Sequence, residues 1–399
     1  MMEVGMRIRS LVPTVALALA ALACAQTELP GTATPAPAKP PTQPPTPTIA
    51  FVTATPASDS PSATPTEWSP AELTATAEPA ATTDAGPTAQ PTEPPPTAAA
   101  PDARTYLDDR SDPRALVWSY VNALARHEPL RAHGYWRDTA DRPDFADLDA
   151  ETLEIIDAAV EVGPILADAG AGQRYFVVPA LITFARGDRG TMEADCFYLH
   201  LSSPDLQAEP PFRPLGIERL VRRPISPQED PAQVLGEVCP SDAGGAYDPP
   251  AAYDPDDIGA ERYLDDRSDP TQVLRSMFNA LNRREYARAY GYWDALDAEA
   301  RPFDEFADGY ENTRAVTVEF GEIVADAGAG QYHYQAPVIL RAETTTGAAQ
   351  VFVACYTLHI SNPSFQASPP FQPLAIRSGT ARQVTEADAA ARLSTICLP

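Results

Sequence analysis

Between residues 270 and 293 the apolar positions recur at helical spacing. Val273, Leu274, Met277, Phe278 and Leu281 fall on one face. Ser268-Asp269-Pro270 supplies the start, because an Asp can accept from the free N–H groups of a first turn and a Pro is tolerated there. A break at Asn282-Arg283-Arg284 leads into a second predicted helix over 285–293, with Tyr286, Tyr290 and Trp293 on one side. A third, shorter helix is expected over 302–310. The period then changes to two: Val316, Val318 and Phe320 alternate with Thr317, Glu319 and Gly321, which reads as a strand. Asp-Ala-Gly-Ala-Gly at 326–330 is a turn signal. Strand-like runs follow at 332–342, 350–360 and 371–379, and a short helix is expected near 385–393. Pro337 inside the first of these runs predicts an edge or a bulge, which curves a sheet.

The whole pattern occurs twice. Tyr-Leu-Asp-Asp-Arg-Ser-Asp-Pro stands at 106–113 and again at 263–270, and each copy leads to Gly-Tyr-Trp, at Gly134-Tyr135-Trp136 and Gly291-Tyr292-Trp293. The first copy places Leu116, Val117, Tyr120, Val121 and Leu124 on the helix face, Val160 and Val162 on the first strand, the same turn at 168–172, and Pro179 where the second has Pro337. Helices followed by antiparallel strands make an α+β unit. The boundaries expected are one repeat over 103–240, a linker over 241–260 and a second repeat over 261–399.

The helix-first order, the helix closing on Tyr-Trp and the bulged sheet together resemble the nuclear transport factor 2-like superfamily, which includes SnoaL-like and ketosteroid isomerase-like proteins. The run from Val273 to Tyr290 is similar to the first two helices of that superfamily. The resemblance covers about 104–240 and 261–399. It implies two tandem cone-shaped domains, each with N-terminal helices packed on a curved antiparallel sheet around an apolar pocket. It also implies that catalysis of the ketosteroid isomerase kind would need an Asp base and a Tyr/Asp oxyanion hole inside that pocket.

The region before the repeats has a different character. Arg7 and Arg9 precede an apolar run over 11–23, whose length suits a signal h-region rather than a membrane span. It ends in Ala20-Ala21-Leu22-Ala23-Cys24, which resembles a bacterial lipobox with Cys24 as the lipidated residue. An ordinary secretory signal ending at Ala23 is the alternative. Either reading places the chain outside the cytoplasm, in the first case anchored to the cell membrane through Cys24. Residues 24–102 are dominated by Pro, Thr and Ala without helix or strand period, and are expected to form a disordered stalk. The formal net charge of −26 repels phosphate backbones, so nucleic acid is not an expected partner.

Apart from Cys24, the cysteines are Cys196, Cys239, Cys355 and Cys397, one matched pair in each repeat. Of the three pairings that four cysteines allow, the repeat selects Cys196–Cys239 and Cys355–Cys397. No metal-spaced His pair, phosphate-binding Gly loop or nucleophile elbow is present, so no metal, cofactor or catalytic residue is assigned. Asp108-Asp109 and Asp265-Asp266 could seat a cation, but read more simply as solvated turns before a helix. His200 and His359 are the histidines common to both copies, and alternation places them with Cys196 and Cys355, away from an apolar interior. Tyr120 becomes Met277, so a hydroxyl there is not shared. Tyr135, Trp136, Tyr292 and Trp293 are the candidates for a ligand-binding rim, with core packing as the alternative. The expectation is a non-catalytic surface lipoprotein whose modules bind a small ligand, a glycan or a protein partner. An assembly role, with the domains pairing through their sheets within one chain or in a homodimer, is the first alternative. A small-molecule isomerase, dehydratase or hydrolase using one pocket is the second.

Overall fold

The structure is a computed structural model that describes residues 105–240, 244–249, 256–294 and 301–398. All of these fall within one compact unit, 49–399. The leader, Cys24 and the 24–102 stalk lie outside the described residues. Among the described residues no helix is long and apolar enough to cross a membrane.

Two halves follow the same order. The first has α1 (Pro113–Ala125), α2 (Pro129–Gly134), α3 (Phe145–Leu153), β1 (Asp157–Val162), β2 (Leu166–Gly170), β3 (Gln173–Arg186), β4 (Arg189–Ser202), β5 (Gly216–Ile225) and α4 (Pro231–Val238), with β6 (Gly245–Ala246) after it. The second has α5 (Pro270–Asn282), α6 (Tyr286–Tyr290), α7 (Phe303–Tyr310), β7 (Thr313–Phe320), β8 (Val324–Gly328), β9 (Gln331–Thr344), β10 (Ala349–Ser361), β11 (Ala375–Val384) and α8 (Glu386–Leu393). Each half is α+β, with an antiparallel sheet. The expected strand over 371–379 begins later, at Ala375.

Local chemistry accounts for these elements. The Asp112 carboxylate accepts from the N–H groups of Arg114 and Ala115, and Asp269 accepts from that of Gln272, so each repeated Ser-Asp-Pro caps a helix. Pro179 and Pro337 lie within the long strands β3 and β9, not at an edge. Each stands where the neighbouring strand changes, from β1 to β2 and from β7 to β8. The missing N–H therefore interrupts no ladder, while the proline carbonyl accepts from Gly163 or Gly321 at 2.8 Å. Register shifts at Tyr198/Leu199 and Thr357/Leu358 put a bulge in each sheet.

The helices cover one face of each sheet and enclose a core. In the first half this contains Leu116, Tyr120, Leu124, Phe184, Phe197 and Leu199. In the second it contains Leu274, Met277, Phe278, Val338, Tyr356 and Leu358. The opposite face carries the Cys196–Cys239 and Cys355–Cys397 disulfides, which tie the chain after α4 and α8 to β4 and β10.

Candidate functional site

The duplicated octapeptides are largely half-buried and the first acid of each is fully buried, contrary to the solvated turns expected from their charge: Asp108 and Asp265 are 2% and 3% exposed. The two segments lie antiparallel, Asp109 opposite Asp266. The Arg110 N–H donates to the Asp265 carbonyl at 2.8 Å, and the Arg267 N–H to the Asp108 carbonyl at 2.7 Å. The Ser268 and Ser111 hydroxyls accept reciprocally from the N–H groups of Asp108 and Asp265, both at 2.9 Å. Tyr106 packs on the second core and Tyr263 on the first.

Behind each segment lies the same polar network. Arg131 donates to Glu128 at 2.6 Å and to Asn122 at 2.8 Å, and Arg288 does the same to Glu285 and Asn279. The Tyr135 hydroxyl donates to Asp108 at 2.8 Å and that of Tyr292 to Asp265 at 2.7 Å. The two tyrosines expected at a ligand rim thus have their hydroxyls engaged, with no surface left exposed. The indole Nε1 atoms of Trp136 and Trp293 are buried with no acceptor in good hydrogen-bond geometry, and that of Trp136 lies beside the Tyr120 hydroxyl.

The interiors beside these tryptophans differ. In the first half, alternation along β4 points Glu193, Asp195, Phe197 and Leu199 at the helices. Asp195 is 0% exposed, and neither carboxylate oxygen has a hydrogen bond. Its neighbour across the ladder is Arg222 of β5, whose Nε is 3.6 Å away. Arg222 also reaches Glu151 of α3 at 2.6 Å and the Tyr120 hydroxyl at 3.4 Å, while Arg186 reaches Glu193 at 3.2 Å. Two guanidiniums face three carboxyl groups here, one acid more than there are cations. Burial pushes the Asp195 carboxyl up to about 7, against the opposing pull of Arg222. An open surface cleft lined by Glu151, Arg186, Glu193 and Arg222 lies on the solvent side of this cluster; Asp195, Tyr120 and Trp136 do not line it. Trp136 and Phe197 stand edge-on to Tyr120, at centroid distances of 6.5 and 5.8 Å.

In the second half the same positions hold Met277 for Tyr120, Phe352 for Glu193, Ala354 for Asp195 and Ala381 for Arg222. Phe278, Trp293, Tyr310, Phe352 and Tyr356 leave a cavity of about 40 Å³. That has room for a few water molecules, well short of the several hundred Å³ of an ordinary ligand pocket.

His200 and His359 lie on the far side of the sheets, as alternation predicts. His200 bonds to Gln173 at 2.7 Å and Glu218 at 3.0 Å and stacks on Tyr175, while His359 bonds to Gln331 at 2.6 Å. Asp195, Glu193 and Arg222 were not among the expected site residues. They are visible in the sequence as inward positions of one copy that carry charge where the other copy is apolar.

No family model matches the chain, and no curated protein matches it. Among solved structures the chain is similar to one described as "Ntf2 like protein involved in plasmid conjugation", with 10% identity and a TM-score of 0.17 over 66% of this chain and 97% of that one. At that TM-score the likeness carries no inference about this chain.

Proposed function

We propose that the chain is a surface lipoprotein, anchored through Cys24, whose two halves are nuclear transport factor 2-like cones, and that the first cone binds a small molecule bearing a positive or hydrogen-bond-donating group. The single observation that carries this reading is Asp195: a fully buried carboxylate with neither oxygen hydrogen-bonded. A buried acid in that condition costs free energy unless a donor reaches it, and such groups concentrate at functional sites. The Tyr120 hydroxyl and the indole N–H of Trp136 beside it add two polar groups to an otherwise apolar, aromatic wall. The two disulfides are consistent with an extracytoplasmic location.

A second reading rests on the same residue. A carboxyl displaced to about 7 is suited to take a proton from a bound substrate near neutral pH, which would make the first cone a proton-transfer enzyme. The experiment is a thermal-shift and native mass spectrometry screen of small amines, amides and hydroxylated compounds on the full mature chain, with Asp195→Asn beside it. Binding by the wild type and its loss in the variant are expected. Equal responses from both proteins, or none from either, defeat the binding reading, and turnover of a bound compound would select the catalytic one.

A further inference from the structure

Two sheet edges of nearly identical sequence differ in what covers them. β2 reads Leu166-Ala-Asp-Ala-Gly170 and β8 reads Val324-Ala-Asp-Ala-Gly328, and each pairs with the long strand of its sheet in the same register, Leu166 opposite Val177 and Val324 opposite Gln335. The outer side of β2 is taken by β6: Gly245 and Ala246 lie opposite Ala167 and Leu166, and the Tyr247 N–H donates to the Ile165 carbonyl at 2.9 Å. This addition lays Tyr247 edge-on to Phe176, with centroids 5.6 Å apart, against the first core. Gly244 approaches so closely that a Cβ there would stand 2.6 Å from the Ala167 carbonyl oxygen.

Among the described residues no strand lies on the outer side of β8. All of its residues are exposed, Val324 by 58%. Tyr334 stands opposite Ala325 as Phe176 stands opposite Ala167, and is half-buried. Beside it Tyr106, Tyr332, Ile360 and Leu374 line an open groove of about 290 Å³. An unpaired strand edge is a template for an added strand. Backbone groups alternate in direction along a strand. Those of Ile323 and Ala325 therefore face outward, as those of Ile165 and Ala167 do.

We propose that the β8 edge binds an extended segment of another polypeptide as an added antiparallel strand, with a glycine three residues and a small residue one residue ahead of an aromatic one. The covered edge defines that chemistry: glycine where the backbones crowd, alanine opposite Leu166, and a ring to pack on the aromatic of the long strand. The chain's own segment of this kind is engaged on β2, so the occupant comes from a different protein.

The probe is the synthetic peptide Gly-Gly-Ala-Tyr-Asp-Pro, the sequence of residues 244–249, added to the full mature chain and followed by hydrogen exchange of the backbone amides. Slowed exchange confined to 323–328 is expected. Replacing the peptide's Tyr by Ala should remove it. Ala325→Pro deletes an outward N–H and leaves the β9 pairing intact, so it should weaken binding about tenfold, the equivalent of about 1.4 kcal/mol. Tyr334→Ala, which leaves the backbone unaltered, should weaken it similarly. Absence of protection at millimolar peptide, protection on β2 instead, or protection unchanged in both variants would overturn the proposal.

Discussion

The first half buries Glu193 and Asp195 against its helices beside a half-buried Arg222, where the second buries Phe352 and Ala354 beside a half-buried Ala381. The two halves otherwise share the order of their helices and long strands, the Asp cap of the first helix, disulfide placement and the Glu–Arg–Tyr–Asp network, while β6 belongs to the first alone. The second half is therefore an internal control. It folds the same sheet on the same helices without the ion cluster, so the cluster is not needed to specify the fold. Buried ion pairs are in any case weak evidence for stability, since desolvation offsets much of their attraction. What the first interior gains from them is an acid that the fold leaves unsatisfied.

The comparison can be broken by exchange. Arg222→Ala strands Asp195 without its cation, while Glu193 keeps Arg186, and should cost roughly 3–5 kcal/mol in denaturant unfolding. Converting the whole set to its counterparts (Tyr120→Met, Glu193→Phe, Asp195→Ala, Arg222→Ala) should be neutral or stabilising by about 1–4 kcal/mol while abolishing ligand binding. A large loss from the complete exchange would show that the cluster is structural after all. Arg131→Ala and Arg288→Ala, by contrast, remove the same buried partner from both halves and should each cost roughly 3–5 kcal/mol.

Removing either disulfide should cost roughly 3–4 kcal/mol, alike in the two halves, because the closed loops span 43 and 42 residues. The next effect depends on pH. Folded Asp195 keeps its proton up to about 7, whereas the unfolded carboxyl ionises near 3.8. The folded chain therefore holds the extra proton between those values, and stability should fall as pH rises through that window and be flat below it. Asp266, pushed up to about 6 chiefly by burial, adds the same sign over the lower part. Asp195→Asn should flatten the slope near neutrality and reduce it in the lower part to what Asp266 contributes, measured as melting temperature against pH. The smallest change should come from Arg341→Ala. It removes exposed pairs with Glu319 and Glu386 and should cost no more than about 1 kcal/mol.

The capped helices were legible because Asp-Pro and an apolar stripe act within a few residues of one another. The two sheets were legible through period-two runs that stand in both copies. The site was not. A requirement that a functional set appear in both copies set Tyr120 aside on meeting Met277. It also passed over Asp195, whose neighbours in sequence, Ala194 and Cys196, belong to an ordinary buried strand. The octapeptide's charge suggested a solvated turn, because nothing local indicates that its carboxylates meet Tyr135 and Tyr292 or that its backbone meets that of the other copy.

The sequence by itself determined the duplication, the order of helices and strands, the Asp caps of the two first helices and the face that His200 and His359 share with Cys196 and Cys355, because these depend on spacing and on interactions within a turn or a ladder. Tertiary structure alone decided which charges are stranded. Arg222 meets Asp195 across a strand pair, Glu151 reaches them from a helix, and Asp109 faces Asp266 across the two copies. Whether a carboxylate is solvated, paired or left bare depends on what surrounds it in space, and that sum is formed only when distant segments pack.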